Sequence, residues 1–316
     1  MDFEALNKKI LPPDAQAEKA AWAHWDGIAK PLRGLGRLEE AVVRIAALTG
    51  SEEVELGKRA VLVLCADNGV VAEGVTQTDA SVTATMAGEI AKHRSSVCRM
   101  AARAGADVFA IDIGMNRRVE GVRDCHTADG TQNMTKGPAM TRAQAEQAIQ
   151  TGMELAHECR DAGYRLLATG EMGIGNTTTS SAVAAVLLGQ PVEVMTGRGA
   201  GLSDEGLARK IDAIHRGIAK NQPDSADALD VLAKLGGFDI AGLCGVFLGG
   251  ALEGVPVLAD GFISCVAALC AVRLCPAAAK AVFASHCSTE PAAKLVLNAL
   301  NKKALITAGL HLGEGT

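Results

Sequence analysis

The sequence predicts an α/β protein built on a doubly wound, mostly parallel, Rossmann-like sheet. Three observations carry that prediction. Continuous apolar runs such as residues 60–66 and 166–168 have the composition of strands covered on both faces. They alternate with longer segments of helical spacing, and that alternation specifies a parallel sheet with crossover helices. Glycine-rich or Asp-containing turns end several of the runs, which is where open α/β sheets hold their ligands.

Taken in order, residues 1–28 carry helical spacing through Leu6, Ile10, Ala17, Ala20, Trp22 and Trp25, interrupted by Pro12-Pro13, and predict two helices with a short break. Both tryptophans read as packing anchors. The basic stretch Lys30-Pro31-Leu32-Arg33-Gly34-Leu35-Gly36-Arg37 reads as a linker, with a substrate-facing loop as the second reading, and leads into an amphipathic helix through Leu48. The run 60–66 is the first strand. Asp67-Asn68-Gly69 at its carboxyl end makes Asp67 and Asn68 candidate site residues, although Asp-Asn-Gly is equally good turn chemistry.

A helix is predicted over 81–104, a strand over 107–113, and an ordered polar excursion or lid over 117–136. Thr141 is a good N-cap for a helix over 142–162. The strand at 166–168 then runs into Gly170-Glu171-Met172-Gly173-Ile174-Gly175-Asn176-Thr177-Thr178-Thr179, followed by a helix over 180–188. A second glycine-rich loop, residues 196–205, leads into a helix over 205–219. From Gly236 an Ala/Gly-rich helix runs to Leu252, small-residued enough for close packing, across a subunit interface as one option. A strand at 256–259 ends in Asp260-Gly261, a helix follows to about 274, and 281–286 gives the last strand before a helix to Leu300. The chain closes on 305–312 and Gly313-Glu314-Gly315-Thr316, with no internal repeat.

The strand-to-helix junction at 170–179 has the chemistry of an anion site. Free N–H groups at a helix N-terminus carry partial positive charge, and glycines let the backbone approach a phosphate. An N-capped helix after a tight turn is the plain alternative, because glycine patterns alone are weak. The carboxylate of Glu171 shifts the balance, since an acid at such a mouth must face another part of the substrate. In the second loop, Arg198 and Lys210 are either solvated cations or ligands of a phosphate or carboxylate.

Composition narrows the function classes. The 316 residues suffice for one large or two ordinary domains, and with aromatics at 3% the core must be built from Ala, Val, Leu and Ile. A net charge of −5 leaves no basic excess for nucleic acid. No apolar run approaches the roughly 18 residues of a membrane span, so a cytoplasmic enzyme is expected. The nine cysteines have no Cys-x-x-Cys pair and no flanking histidine pattern, and read as reduced core thiols without a metal site.

Several motifs together resemble the nicotinate-nucleotide:dimethylbenzimidazole phosphoribosyltransferases, which make the lower-ligand nucleotide of cobamides such as vitamin B12. They are Leu35-Gly36-Arg37-Leu38-Glu39; Ala66-Asp67 with Gly69-Val70 and Ala72-Glu73-Gly74-Val75; Gly170 to Thr178; and Gly197-Arg198-Gly199 with Leu207-Ala208-Arg209-Lys210. Asp260-Gly261-Phe262-Ile263-Ser264, Ser285-His286 with Ser288 and Glu290-Pro291, and Leu312-Gly313-Glu314-Gly315 complete a match in order along nearly the whole chain. The resemblance implies transfer of phosphoribose from nicotinate mononucleotide to an aromatic base, with release of nicotinate and inversion at the anomeric carbon. It implies Glu314 as the general base and Glu171 near the ribose and acceptor, assisting by orientation or charge. A positioned carboxylate base contributes roughly 10²–10⁴-fold.

By the same resemblance, Gly173, Gly175, Asn176, Thr177, Thr178, Gly197, Arg198, Gly199, Lys210, Asp260 and Ser288 hold the phosphoribosyl and nicotinate parts. Asp67, Asn68, Gln77, Thr85, Met86 and Leu312 form the acceptor pocket. No cofactor or metal is implied. The implied architecture is a large α/β domain, residues 29–316, and a small helical domain made from the chain ends, with residues 1–28 expected to be completed by a C-terminal helix beyond Thr316. A dimer, of identical or paralogous subunits, is implied as well.

This sequence departs from the family pattern near the acceptor. Thr85 stands where the family has glutamine, Asn68 where it has histidine, His93-Arg94-Ser95-Ser96-Val97-Cys98-Arg99 replaces Gly-Gly-Ala-Ala-Ile-Asn-Val, and Pro31-Leu32-Arg33-Gly34 replaces Pro-Pro-Gly-Ser. The expectation is retained transfer with an altered acceptor, such as another benzimidazole, a purine or a phenol. Two other classes compete. A dehydrogenase needs Gly-x-Gly-x-x-Gly after the first strand, which is absent. A non-catalytic nucleotide-binding subunit has no use for both Glu171 and Glu314.

Overall fold

The computed structural model describes residues 1–316. The first helices are α1 (Phe3–Lys9), α2 (Ala15–Gly27) and α3 (Arg37–Thr49). They are followed by β1 (Arg59–Ala66), a 3-10 turn (Gly69–Glu73), α4 (Ser81–Ala91), α5 (Ser96–Ala104), β2 (Ala106–Gly114) and β3 (Arg123–Asp124). Next come α6 (Arg142–Asp161), β4 (Leu166–Met172), α7 (Asn176–Leu188), α8 (Val192–Met195), α9 (Asp204–Asn221) and α10 (Ala228–Leu235). The chain ends through α11 (Phe238–Glu253), β5 (Val257–Ala259), α12 (Gly261–Leu274), a 3-10 turn (Pro276–Ala281), β6 (Val282–Ala284) and α13 (Ala293–Ala299).

Six strands form one sheet in the order β3-β2-β1-β4-β5-β6, and every pairing is parallel. The order reverses between β1 and β4, so the crevice beyond their carboxyl ends is the topological switch point where such sheets bind ligands. Along β1 the alternation of side chains divides the core. Ala60, Leu62, Leu64 and Ala66 belong to a 70-residue cluster on the face covered by α6, α11 and α12. Val61, Val63 and Cys65 face an 11-residue cluster with Ala87 and Ile90 of α4 and Val97 of α5. This is the doubly wound architecture expected from the sequence.

The close packing foreseen for the Gly-rich helix is internal. A Cβ on Gly152 of α6 would lie 1.9 Å from the Gly242 carbonyl oxygen, and one on Gly245 of α11 would lie 1.9 Å from the Ile149 oxygen. The two helices therefore touch backbone to backbone within one subunit, which corrects the subunit-interface option.

Other elements differ from expectation. The helix predicted over 81–104 is broken after Ala91, where His93 adopts φ +56° and Arg94 folds back onto Glu89. The helix after the Gly170 loop starts at Asn176, so the three threonines lie inside it. Neither α8 nor α10 was foreseen. Beyond α13 the tail crosses β6 with one parallel bridge, His286 to Ile306, and no further strand.

At the N-terminus, α2 and α3 share a small cluster of Ala21, Val43 and Ala46 with Trp22 and Trp25 packed on it, and Arg33 stacks 3.4 Å over the Trp22 ring. The tryptophans are packing anchors, as predicted. All nine cysteines are free and seven are buried. No helix is long and apolar enough to cross a membrane.

Candidate active site

The switch-point crevice holds a cavity of about 210 Å³ bounded by the β4–α7, β5–α12 and post-β6 loops and by the C-terminal tail. Its walls include Glu171, Gly173, Asn176, Thr177, Gly199, Asp260, Ser288, Leu312 and Glu314. Sequence distances of up to 143 residues, from Glu171 to Glu314, close up here because the tail lies on β4. A Cβ on Gly170 would sit 2.6 Å from the Glu314 carbonyl oxygen, and Gly315 N–H donates to Asp260 Oδ2 at 2.8 Å. Gly313, Glu314 and Gly315 all have positive φ, at +82°, +63° and +84°. Glycines on both sides permit this turn, and Glu314 is held in it as one of five non-glycine residues in the left-handed region.

The site is strongly acidic. Glu171 is 8% exposed, and burial together with the neighbouring Asp239 raises its carboxyl well above the usual range. Burial raises Asp260, with the Gly315 N–H opposing, and burial plus Asp260 raises Glu314. A raised Glu314 is a carboxylate nearer the basicity that proton abstraction at neutral pH requires. No group of three or more His, Cys, Asp or Glu side chains is arranged to hold a metal ion.

Lys210 is completely buried behind the wall formed by the two glycine loops. Its Nζ donates to Thr177 Oγ1 at 2.8 Å and to the Gly197 carbonyl at 3.0 Å. Burial pushes its pKa down to about 8, with Glu290 opposing. It pins the first loop to the second and lends both its charge. Glu290 Oε1 accepts the Gly199 N–H at 3.1 Å, so an acid occupies the second loop's donor in this structure, and its Oε2 is buried without a partner.

Other predicted site residues are engaged within the protein or lie off the main cavity. Asn176 lines the cavity but is 6% exposed, and its side-chain amide nitrogen donates to Glu171 and Asp239. Thr178 is fully buried one residue beyond the wall, because the helix already turns it inward. Arg198 curls onto its own loop, donating to the Leu202 carbonyl at 2.8 Å and pairing with Asp204. Gly175, Arg198 and Gln77 border a smaller adjoining space of about 130 Å³, and Gln77 donates to the Gly201 carbonyl.

Of the predicted acceptor residues only Leu312 lines the main cavity. Asp67 and Asn68 are buried beneath it, with Asp67 accepting the Asn116 N–H at 2.7 Å and Asn68 donating to Ile174 at 3.5 Å. Thr85 faces a separate hollow beside Arg117 and Arg118 and bonds back to Ser81, while Met86 packs on the smaller core cluster. Helical period sets the directions apart: Thr83, two residues earlier, points to the β4–α7 loop and accepts the Ile174 N–H at 3.2 Å.

Asp239, His286 and Glu290 were not assigned roles from sequence. His286 and Glu290 stand within quoted motifs and line the cavity. Asp239 carries no sequence signal, because an acid in a helix's first turn is ordinary. A larger hollow of about 500 Å³ between α3 and β6 contains no predicted residue and lies away from this chemistry.

Comparison with known proteins bears on the whole arrangement. A family model described as Phosphoribosyltransferase matches residues 10–316. The nicotinate-nucleotide–dimethylbenzimidazole phosphoribosyltransferase of Acetivibrio thermocellus is 45% identical over 293 residues, covering 92% of this chain and 84% of the relative. That of Ruminiclostridium cellulolyticum is 42% identical, covering 100% of this chain and 90% of the relative. A crystal structure described as CobT from Thermus thermophilus superposes with a TM-score of 0.90 at 39% identity, covering 95% of this chain and 91% of that one. With this agreement along nearly its full length, the chain belongs to the nicotinate-nucleotide–dimethylbenzimidazole phosphoribosyltransferase family.

Proposed function

We propose that the protein transfers phosphoribose from nicotinate mononucleotide to an aromatic lower-ligand base, releasing nicotinate and forming an α-ribazole-type phosphate for cobamide assembly. The observation that carries this reading is the convergence of Glu314, from the tail, and Glu171, from β4, on one cavity that the two glycine loops also line. Glu314 takes the acceptor's proton as the ring nitrogen attacks the ribosyl carbon, and the bond to nicotinate breaks on the opposite side. Thr177, Gly199 and Ser288 face the phosphate with Lys210 behind them.

Dimethylbenzimidazole, the acceptor in the relatives' names, is the acceptor we favour. The positions at which the chain departs from the family pattern support it, because Thr85 and Asn68 are not on the cavity wall and residues 93–99 form the α4–α5 turn and the start of α5, none of them on that wall. For assembly we propose a dimer. Exposed Leu32, Leu35 and Leu38, at 71%, 52% and 57%, support a subunit contact on the segment that leads into and opens α3. The separate α2–α3 cluster supports assigning residues 1–28 to a small helical domain, and nine free thiols fit a reducing compartment.

The direct test is Glu314→Gln. The variant is expected to bind nicotinate mononucleotide as the wild type does and to lose turnover by roughly 10²–10⁴-fold. Undiminished turnover would remove Glu314 from the chemistry.

A further inference from the structure

Asn176 joins two carboxyl groups that belong to different parts of the chain. Its buried amide nitrogen donates to Glu171 Oε2 and, at 3.2 Å, to Asp239 Oδ2. Glu171 lines the cavity; Asp239, in the first turn of α11, is fully buried behind it. Two ionised carboxylates bridged by one amide and removed from water repel each other, so such a pair retains a proton and titrates as a unit.

The surroundings decide where that proton resides. Asp239 accepts a further N–H, from Ile240 at 2.9 Å, and lies in the positive first turn of a helix, and both favour its charged form. Glu171 faces Asp260 on one side and Asp239 on the other, and its burial together with these two carboxyls opposes its charge more than the Asn176 amide and the Glu314 backbone favour it. Asp239 in turn faces Asp67, and the thiol of Cys65 on β1 lies beside both. His286 is turned toward Asp260, at 3.6 Å, and Lys210 toward Thr177 and Gly197. Consistent with this, burial brings Asp239 up to about 6, whereas Glu171 is raised well above its ordinary value.

We propose that Asp239 is a positioning residue for the transfer: acting through Asn176, it keeps the shared proton on Glu171, so that Glu171 meets the ribosyl group as a neutral hydrogen-bond donor. The inference rests on the placement of Glu171 beside the ribose given under the proposed function. It also limits the negative charge of a cavity that must accommodate a phosphate and the Glu314 carboxylate together.

The test is the pH dependence of kcat/KM for nicotinate mononucleotide in Asp239→Asn, Asp239→Glu and Glu171→Gln. Removing the charge at 239 lets Glu171 ionise earlier, so the alkaline limb moves toward acid by roughly one unit, and Asp239→Glu restores it. Glu171→Gln cannot ionise, so the turnover it retains no longer shows that limb. An Asp239→Asn profile that overlays the wild type overturns the inference, as does an alkaline limb that persists unshifted in Glu171→Gln. Undiminished turnover and binding in Glu171→Ala would instead overturn the placement of Glu171 itself. Should Asp239→Asn not fold, infrared difference spectroscopy decides: the carbonyl stretch of a protonated carboxyl must be present in the wild type at neutral pH and absent in Glu171→Gln. If the wild type lacks the band, the inference is overturned.

Discussion

Lys210 shows how a single buried side chain couples two loops. An ammonium removed from water is costly, and here it is tolerated because a hydroxyl and a carbonyl receive its hydrogen bonds and Glu290 lies near enough to favour its charge. Lys210→Met should release the Gly197 loop from Thr177 and raise KM for nicotinate mononucleotide about tenfold or more, with a smaller effect on kcat, in steady-state kinetics. Tenfold corresponds to about 1.4 kcal/mol, within reach of one charge-assisted contact. An unchanged KM would separate Lys210 from phosphate binding. The sequence made Lys210 visible as a cation one or two turns beyond a glycine loop. It did not show that the Asn176 amide is engaged by carboxylates, because an asparagine after Gly-x-Gly reads as an anion donor, and its partner Asp239 lies 63 residues away with no spacing to reveal it. Glu314 was legible only through its Gly-Glu-Gly context, which the positive φ at all three positions explains.

Among the elements, the contact between α6 and α11 is the most constrained. Gly245→Ala would force a methyl against the Ile149 carbonyl, which neither rotamer change nor a flexible neighbour can relieve. The expected loss is roughly 3 kcal/mol, read as a lower urea midpoint with an unchanged slope. A second constraint ties the 3-10 turn after β1 to the polar excursion. Glu73 accepts from Asn133 at 2.6 Å, Thr135 at 2.9 Å and Arg216 at 2.8 Å. The Asn133 and Arg216 hydrogen bonds lead in lowering its pKa, from 4.5 to about 2. The folded state thus binds the proton less tightly than the unfolded one, so this stabilisation is complete above pH 4.5 and lost as pH falls toward 2. Glu73→Gln should lower stability near neutrality by roughly 2 kcal/mol, after allowing for solvent screening, and flatten its decline across that acid window. Equal pH slopes for variant and wild type would show that Glu73 does not act as a clamp. The order of the 117–136 excursion was therefore readable as a polar segment too long to be a plain turn, whereas its anchors were not. The break between α4 and α5 was hidden because Lys92-His93-Arg94 contains neither glycine nor proline.

On the scale of the molecule, the parallel doubly wound sheet, the ligand-type loops at its strand ends and the two glycine loops were all legible, since each depends on local patterning repeated along the chain, whereas the strand order was not. What patterning could not show is how the tail returns to the centre of the sheet. Gly170 and Gly315 have to be glycine because the tail lies against β4 and β1, with a Cβ on Gly315 falling 2.7 Å from Val61. That return path brings Glu314 to the cavity that Glu171 lines and makes one cavity from widely separated segments of the chain. The measurement that tests this account most directly is nicotinate release from nicotinate mononucleotide by the purified full chain, with dimethylbenzimidazole, other benzimidazoles, adenine and phenols as acceptors. The account predicts release that depends on an added acceptor, is fastest with dimethylbenzimidazole, and is abolished in Glu314→Gln. Failure of every acceptor to elicit release, with the nucleotide still bound, would contradict it.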